Sequence, residues 1–212
     1  KISGDKKFLL ESSHKYHDSG RYSLIGSDPA FELISHGDSN EILYRNGEKK
    51  VIKGNPLELI KTLLPKMDEA PFPFIGGAVG YVGYDIIRQF EEIGEEFANG
   101  LQMPDVHLMF YEEVIVFDHL EEKITLCGVP LSEEMDKDLL EKRLEQRIEE
   151  LKQPAIYQDS TPFEFSGFES ETTKEQFIEN VDIAKEHIKA GDIFQVVLSR
   201  RMKSSFKGSP LS

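Results

Sequence analysis

The most informative side chain for chemistry in this sequence is Gln195, the one amide in the otherwise apolar run Ile193 to Leu198. Read as a strand, that run sets Ile193, Gln195 and Val197 on one face and Phe194, Val196 and Leu198 on the other, so both faces are largely apolar. Such a strand is expected to be buried on both sides, and an amide inside it needs hydrogen-bond partners or a ligand. A glutamine satisfied by neighbouring backbone fits the same pattern. A second candidate is the pair Glu11 and Ser12, which closes the strand-like run FLLES. Adjacent strand residues point to opposite faces, so both can serve one pocket only where the strand ends or bulges. The polar stretch His14 to Gly20 predicts that it ends there. A carboxylate, a hydroxyl and an exposed strand end can hold the ammonium and carboxylate of an amino acid, and an ordinary polar strand end has the same composition.

Other chemistries find less support. Gly77, Gly80 and Gly83 recur at a spacing of three, but no Gly-Lys-Ser/Thr follows for a P-loop and no G-x-G-x-x-G links a strand to a helix. They read as glycines that let a strand bend or pack against another backbone. His14, His17 and Asp18 sit in a polar stretch before a turn at Ser19-Gly20 and make a weak metal motif. His36, His107, His119 and His187 are scattered, and none neighbours a serine or cysteine in a known nucleophile context. Cys127, the single cysteine, excludes an internal disulfide and reads as a small core residue. Glu91, Glu92, Glu95 and Glu96 read as a solvated face.

The elements that must position these residues are mostly strands. Phe8 to Glu11, Tyr22 to Gly26, Phe31 to Ser35, Ile42 to Arg45 and Lys49 to Lys53 alternate with period two, and Asn46-Gly47 predicts a hairpin between the last two. Asn55 as cap, Pro56 in the first turn and apolar residues repeating at four predict a helix limited by Pro65. A glycine- and aromatic-rich stretch spans 71–85. Residues 105–129 predict a further hairpin that turns at Glu121-Glu122. A helix over about Glu133 to Lys152 carries the stripe Leu140, Leu144, Ile148 and Leu151, with its charged residues forming a solvated face. Residues 154–171 lack a helical period and read as a linker or crossing. Thr172 and Glu175 are spaced as a capping box, Phe177, Val181, Ala184 and Ile188 share one helical face, and Gly191 ends the helix. The fold class expected is α+β, antiparallel sheets with covering helices.

With 25 Lys and Arg against 39 Asp and Glu, the formal charge of −14 disfavours a nucleic-acid or anionic-membrane partner. No apolar run reaches the roughly 18–20 residues of a membrane span, and KISGDKKF lacks the long apolar stretch of a signal peptide, which makes a cytoplasmic location the expectation. The chain begins without methionine next to one strand pattern and stops just after another, and it reads as a segment of a longer protein.

FLLES, GRYSLIGSDPAFEL, FIGGAVGYVGYD, DVHLMFYEEVIVFDH and FIENVDIAKEHIKAGDIFQVVLSRR occur in the order found in component I, the large subunit, of anthranilate synthase. Nearly the whole chain resembles that family of chorismate-utilising enzymes. The last block is shared with variations across chorismate-using enzymes, whereas FLLES with RYSLIG is more specific. The resemblance implies conversion of chorismate and ammonia to anthranilate and pyruvate, with magnesium on the substrate carboxylate and with metal ligands and catalytic acid/base beyond Ser212. It also implies a glutamine amidotransferase partner, component II, in a heterotetramer, and feedback inhibition by L-tryptophan. Ser12 is carried over first as a tryptophan contact, followed by Glu11 and Tyr22. Gln195 stands where water-adding relatives carry a lysine, and so favours amination. The resemblance divides the chain into a regulatory region over 1–153, the linker over 154–171 and the start of a chorismate-binding catalytic domain over 172–212. Component I of aminodeoxychorismate synthase is the nearest rival, and a non-catalytic amino-acid-binding or partner-docking module is a rival of another class.

Overall fold

Phe31–His36 departs from simple alternation, with Phe31, Glu32, Leu33 and Ser35 all buried, because it is a central strand covered on both faces. The computed structural model of the chain describes residues 2–11, 20–65, 69–94, 101–132, 135–154 and 164–208. The chain divides into two units, 1–155 and 156–212.

In the first unit the elements run β1 (Phe8–Leu10), β2 (Tyr22–Gly26), β3 (Phe31–His36), β4 (Ser39–Tyr44), β5 (Lys49–Lys53), α1 (Pro56–Leu63), β6 (Gly77–Val82), β7 (Val106–Tyr111), β8 (Glu113–Asp118), β9 (Lys123–Gly128) and α2 (Lys137–Lys152). They build two antiparallel sheets, a four-stranded one in the order β1-β2-β8-β9 and a five-stranded one in the order β5-β4-β3-β7-β6. One apolar cluster joins the sheets: Phe8, Leu24, Val114 and Val116 meet Tyr111, with Val79 and Met109 packed against them. The other face of the five-stranded sheet presents Phe31, Leu33, Ile42, Val106, Leu108 and Phe110, and Leu59, Ile60 and Leu63 of α1 cover it.

Local signals set several of these elements. Asn46-Gly47 turns the β4–β5 hairpin, with Gly47 at φ 87°, a conformation that suits glycine. Asn55 caps α1 by accepting hydrogen bonds from the Leu57 and Glu58 amides at 2.9 and 3.4 Å. The helix stops at Leu63, before Pro65. Gly80 lies where β6 passes closest to β7, and a Cβ there would sit 2.0 Å from the His107 carbonyl oxygen.

The sequence placed the charged residues of the second long helix in solvent, but Arg143 and Arg147 turn inward. Both pair with the buried Glu113 of β8, and Arg147 is 8% exposed. Leu140 and Leu144 pack over Gly128, where a Cβ would approach them to about 3 Å, while Ile148 at the far end of the stripe is exposed. A buried carboxylate on β8 thus draws two guanidiniums to the sheet-facing side of the helix.

The second unit contains β10 (Glu164–Phe165), β11 (Glu169–Ser170), α3 (Lys174–Ala190), β12 (Met202–Lys203) and β13 (Phe206–Lys207). β10 pairs with β13 and β11 with β12, both antiparallel, so the described end of the 154–171 segment is paired with residues that follow the helix. The capping box of α3 is one residue later than expected, formed by Thr173 and Gln176. Gly191 ends α3 at φ 82°, as its position predicted. The strand expected over 193–200 is not formed. A strand exists through ladder partners, and no described segment pairs with this one.

Candidate functional site

Glu11 follows directly on β1. The register pairs Leu10 with Leu24, so the next position lies against Ser23, and the side chains meet: the Ser23 hydroxyl donates to Glu11 Oε1 at 3.4 Å. Ser23 Oγ is also 2.7 Å from His119 Nε2. His119 extends β8 by one residue, its amide donating to the Arg21 carbonyl at 2.8 Å. The Phe117 ring meets the imidazole edge-on, with centroids 4.6 Å apart. Glu11, Ser23 and His119 therefore form one polar group on the face of the four-stranded sheet turned away from the inter-sheet core.

Tyr22 lies on the opposite face. It packs against that core, with its ring edge-on to Phe72 at 5.6 Å and the Arg21 guanidinium 5.0 Å from its centroid. The strand therefore does not bring Glu11 and Tyr22 together on one side. Ser12, His14, His17 and Asp18 lie outside the described residues.

Arg21 forks onto Asp118 with contacts of 2.6–3.0 Å, and Asp118 also accepts from the Leu120 and Glu121 amides at the β8–β9 turn. The Arg21 hydrogen bonds, aided by those amides, hold the Asp118 carboxyl at about 2 against an ordinary 3.8. A carboxyl whose folded-state pKa is depressed adds stability above its unfolded value and loses it as the pH falls toward the folded one. Urea midpoints of the wild type are accordingly expected to drop between pH 4 and pH 2. Asp118→Asn should remove that part of the drop and lower the midpoint at pH 7; equal acid sensitivity of the two proteins would refute the assignment.

A second buried carboxylate, Glu32 on β3, accepts from Lys6 and from His107 Nε2, the latter at 3.0 Å. Burial pushes its carboxyl up, but the Lys6 and His107 hydrogen bonds outweigh burial and hold it below the ordinary value. Burial, with the nearby Glu32 charge, pushes the Tyr111 phenol up to about 12, and its hydroxyl donates to the Lys6 carbonyl at 2.5 Å. These groups tie residues 5–7 down ahead of β1.

Gln195 is exposed, and its neighbour Phe194 is 93% exposed. The interior setting expected for the amide is not met, because that setting depended on a strand that has no partner here. Among the described residues no group of three or more His, Cys, Asp or Glu side chains is placed to hold a metal ion, so no step is derived through magnesium. No described helix is long and apolar enough to cross a membrane. Sequence reasoning missed Ser23 and His119: they are 96 residues apart, and no local spacing marks the pair.

The sequence pattern of the chorismate binding enzymes matches residues 5–212. The chain belongs to this family. Among chorismate binding enzymes it is similar to anthranilate synthase component 1 of Acetivibrio thermocellus, 35% identical over 211 residues that cover 92% of this chain and 42% of the relative. Anthranilate synthase component 1 of Lactococcus lactis subsp. lactis (strain IL1403) is 30% identical over 217 residues, 100% of this chain and 47% of that one. The crystal structure of anthranilate synthase component I from Streptococcus pneumoniae TIGR4 superposes with a TM-score of 0.76 at 33% identity, over 95% of this chain and 46% of its own. This α+β fold of antiparallel sheets and covering helices matches the expectation from sequence. The chain spans less than half the length of these relatives.

Proposed function

We propose that this chain is the front portion of component I of an anthranilate synthase, the subunit that converts chorismate and ammonia to anthranilate and pyruvate in tryptophan biosynthesis. The observation that carries the reading is similarity along almost the whole chain, 30–35% identity to proteins of that name, together with a common fold. On this reading residues 1–153 form a regulatory region, 154–171 a linker or crossing, and 172–212 the start of the chorismate-binding catalytic domain. Magnesium would be held by residues outside this segment. Ammonia would come from glutamine through the amidotransferase partner, component II, in a cytoplasmic heterotetramer. L-Tryptophan would inhibit by binding at the end of β1, with Ser12 as its first contact, Glu11 as its second, and Tyr22 reaching it only from the inter-sheet side.

Gln195 would lie near the attack on chorismate once its segment is covered. A neutral amide positions groups by hydrogen bonds, which suits ammonia, already a nucleophile. A lysine with a lowered pKa can instead take a proton from water. Gln195→Lys in the complete subunit should therefore shift product from anthranilate toward the hydroxylated isomer, and an unchanged product ratio would remove Gln195 from the mechanism.

The test of the function is chromatography with fluorescence detection of the product formed from chorismate, ammonia and magnesium by the complete subunit. Anthranilate is expected, and aminodeoxychorismate as the sole product would assign the chain to the rival synthase. The 212-residue chain alone should release no anthranilate, since on this reading the magnesium ligands and the catalytic acid/base lie outside it. Turnover by the chain alone would overturn that part. The reading of the isolated chain as a non-catalytic amino-acid-binding or partner-docking module is tested by calorimetric titration with L-tryptophan, with Ser12→Ala as control. Weak or absent binding is expected.

A further inference from the structure

We infer that Ser23 and His119 are positioning residues that hold the Glu11 carboxylate as the acceptor for the ammonium group of an amino-acid effector. The inference rests on the reading that the end of β1 is an effector site.

An ionised carboxylate only accepts, and a serine hydroxyl has one proton to give. Ser23 Oγ lies 3.4 Å from Glu11 Oε1 and 2.7 Å from His119 Nε2; when its one proton serves the carboxylate, Ser23 Oγ accepts from the imidazole. That arrangement requires the His119 proton on Nε2, and the chain of donors then runs from His119 through Ser23 to Glu11. A histidine protonated only on Nδ1 would reverse the second bond and draw the serine proton away from the carboxylate. The imidazole is held for this role by the edge contact with Phe117 and by its own backbone bond to Arg21.

Each part of the device has a separate structural reason. Glu11 is exposed and lies just past the last ladder pair of β1, so strand pairing does not fix its long side chain. Ser23 is 6% exposed and sits within the pairing of β2 with β8, opposite Phe117, where the backbone is fixed. His119 is half-buried beside it. A hydroxyl fixed by the sheet thus holds a carboxylate that strand pairing leaves unconstrained, which lowers the ordering cost that a ligand's ammonium group meets when it pairs with that carboxylate.

Two measurements test this. In the chain of 212 residues, long-range nitrogen–proton NMR of the histidine rings should show His119 protonated on Nε2; the Nδ1-only form would overturn the inference whatever the effector does. In the complete synthase subunit, Ser23→Ala and His119→Ala should each raise the L-tryptophan concentration for half-inhibition about tenfold, whereas His119→Gln, whose amide can donate from the Nε2 position, and Ser23→Thr should stay within about twofold of wild type. Loss of sensitivity in His119→Gln equal to that in His119→Ala would show a packing role and overturn the relay. Unchanged inhibition in Glu11→Ala would instead sink the effector reading, and the relay's function with it, even with the Nε2 form present.

Discussion

Gly80→Ala is expected to destabilise the first unit by about 3 kcal/mol or more, lowering its thermal midpoint by roughly 6–12 °C. The Cβ would stand 2.0 Å from the His107 carbonyl oxygen and 3.0 Å from the Leu108 Cα. These are backbone atoms of the paired strand, so no side-chain rotation relieves the clash. Gly80 also has φ 157°, on the edge of the region that L-residues avoid. The strands must separate locally, breaking the Gly80–Leu108 register near Leu108, which packs in the core under α1. Gly47→Ala is a suitable control, since a Cβ there meets nothing within 4 Å and only the positive φ opposes it. Circular dichroism melts of the two variants should differ several-fold in their loss; equal losses would mean that conformation, and not close approach, requires glycine at position 80.

What the sequence made legible was what a few neighbouring residues decide. Asn46-Gly47 and Asn55-Pro56 carry their own turn and cap geometry, and both elements formed where expected. The capping box of α3 shows the limit of that approach. Thr172–Glu175 and Thr173–Gln176 have the same spacing, but Ser170 Oγ accepts from the Thr172 amide and donates to its carbonyl. Those contacts engage Thr172 in a turn and leave the cap to Thr173. Partners far along the chain were not legible. Arg147 looked like part of a solvated face until Glu113 appeared across the sheet, and His119 looked isolated until β2 brought Ser23 to it. The resemblance offered Glu11 and Tyr22 as contacts of one ligand, yet the register of β1 and β2 sends them to opposite faces. The strand expected around Gln195 is the converse case: its apolar residues describe a strand buried by neighbours, and no described segment pairs with it.

Arg45→Ala is expected to cost about 3 kcal/mol, because Arg45 clamps both corners where the chain passes between the two sheets. One corner links β2 to β3, and there the Arg45 guanidinium donates to the Asp28 carbonyl at 2.7 Å and the Pro29 carbonyl at 3.2 Å. Asp28 has φ 57° at this bend, an uncommon conformation for a residue other than glycine. The other corner is the single residue Glu112 between β7 and β8, 1% exposed. Its carboxylate lies 3.4 Å from Arg45 Nη2 and accepts from the Leu131 amide and the Ser132 hydroxyl. Removing Arg45 leaves these two donors but takes away the cation, so a buried charge loses its counterpart. The partner change separates that electrostatic loss from the loss of packing and carbonyl bonds. Glu112→Gln keeps an acceptor for Leu131 and Ser132 without a charge, and in the Arg45→Ala background it should restore about 1–2 kcal/mol, whereas in the wild type it should destabilise by turning an amide donor toward the guanidinium. Urea unfolding of the four proteins measures the coupling. If the two changes simply add, the corner is held by the Asp28 and Pro29 carbonyl bonds and by the Arg45–Asp28 ion pair at 3.2 Å, and the Glu112 charge contributes nothing through Arg45.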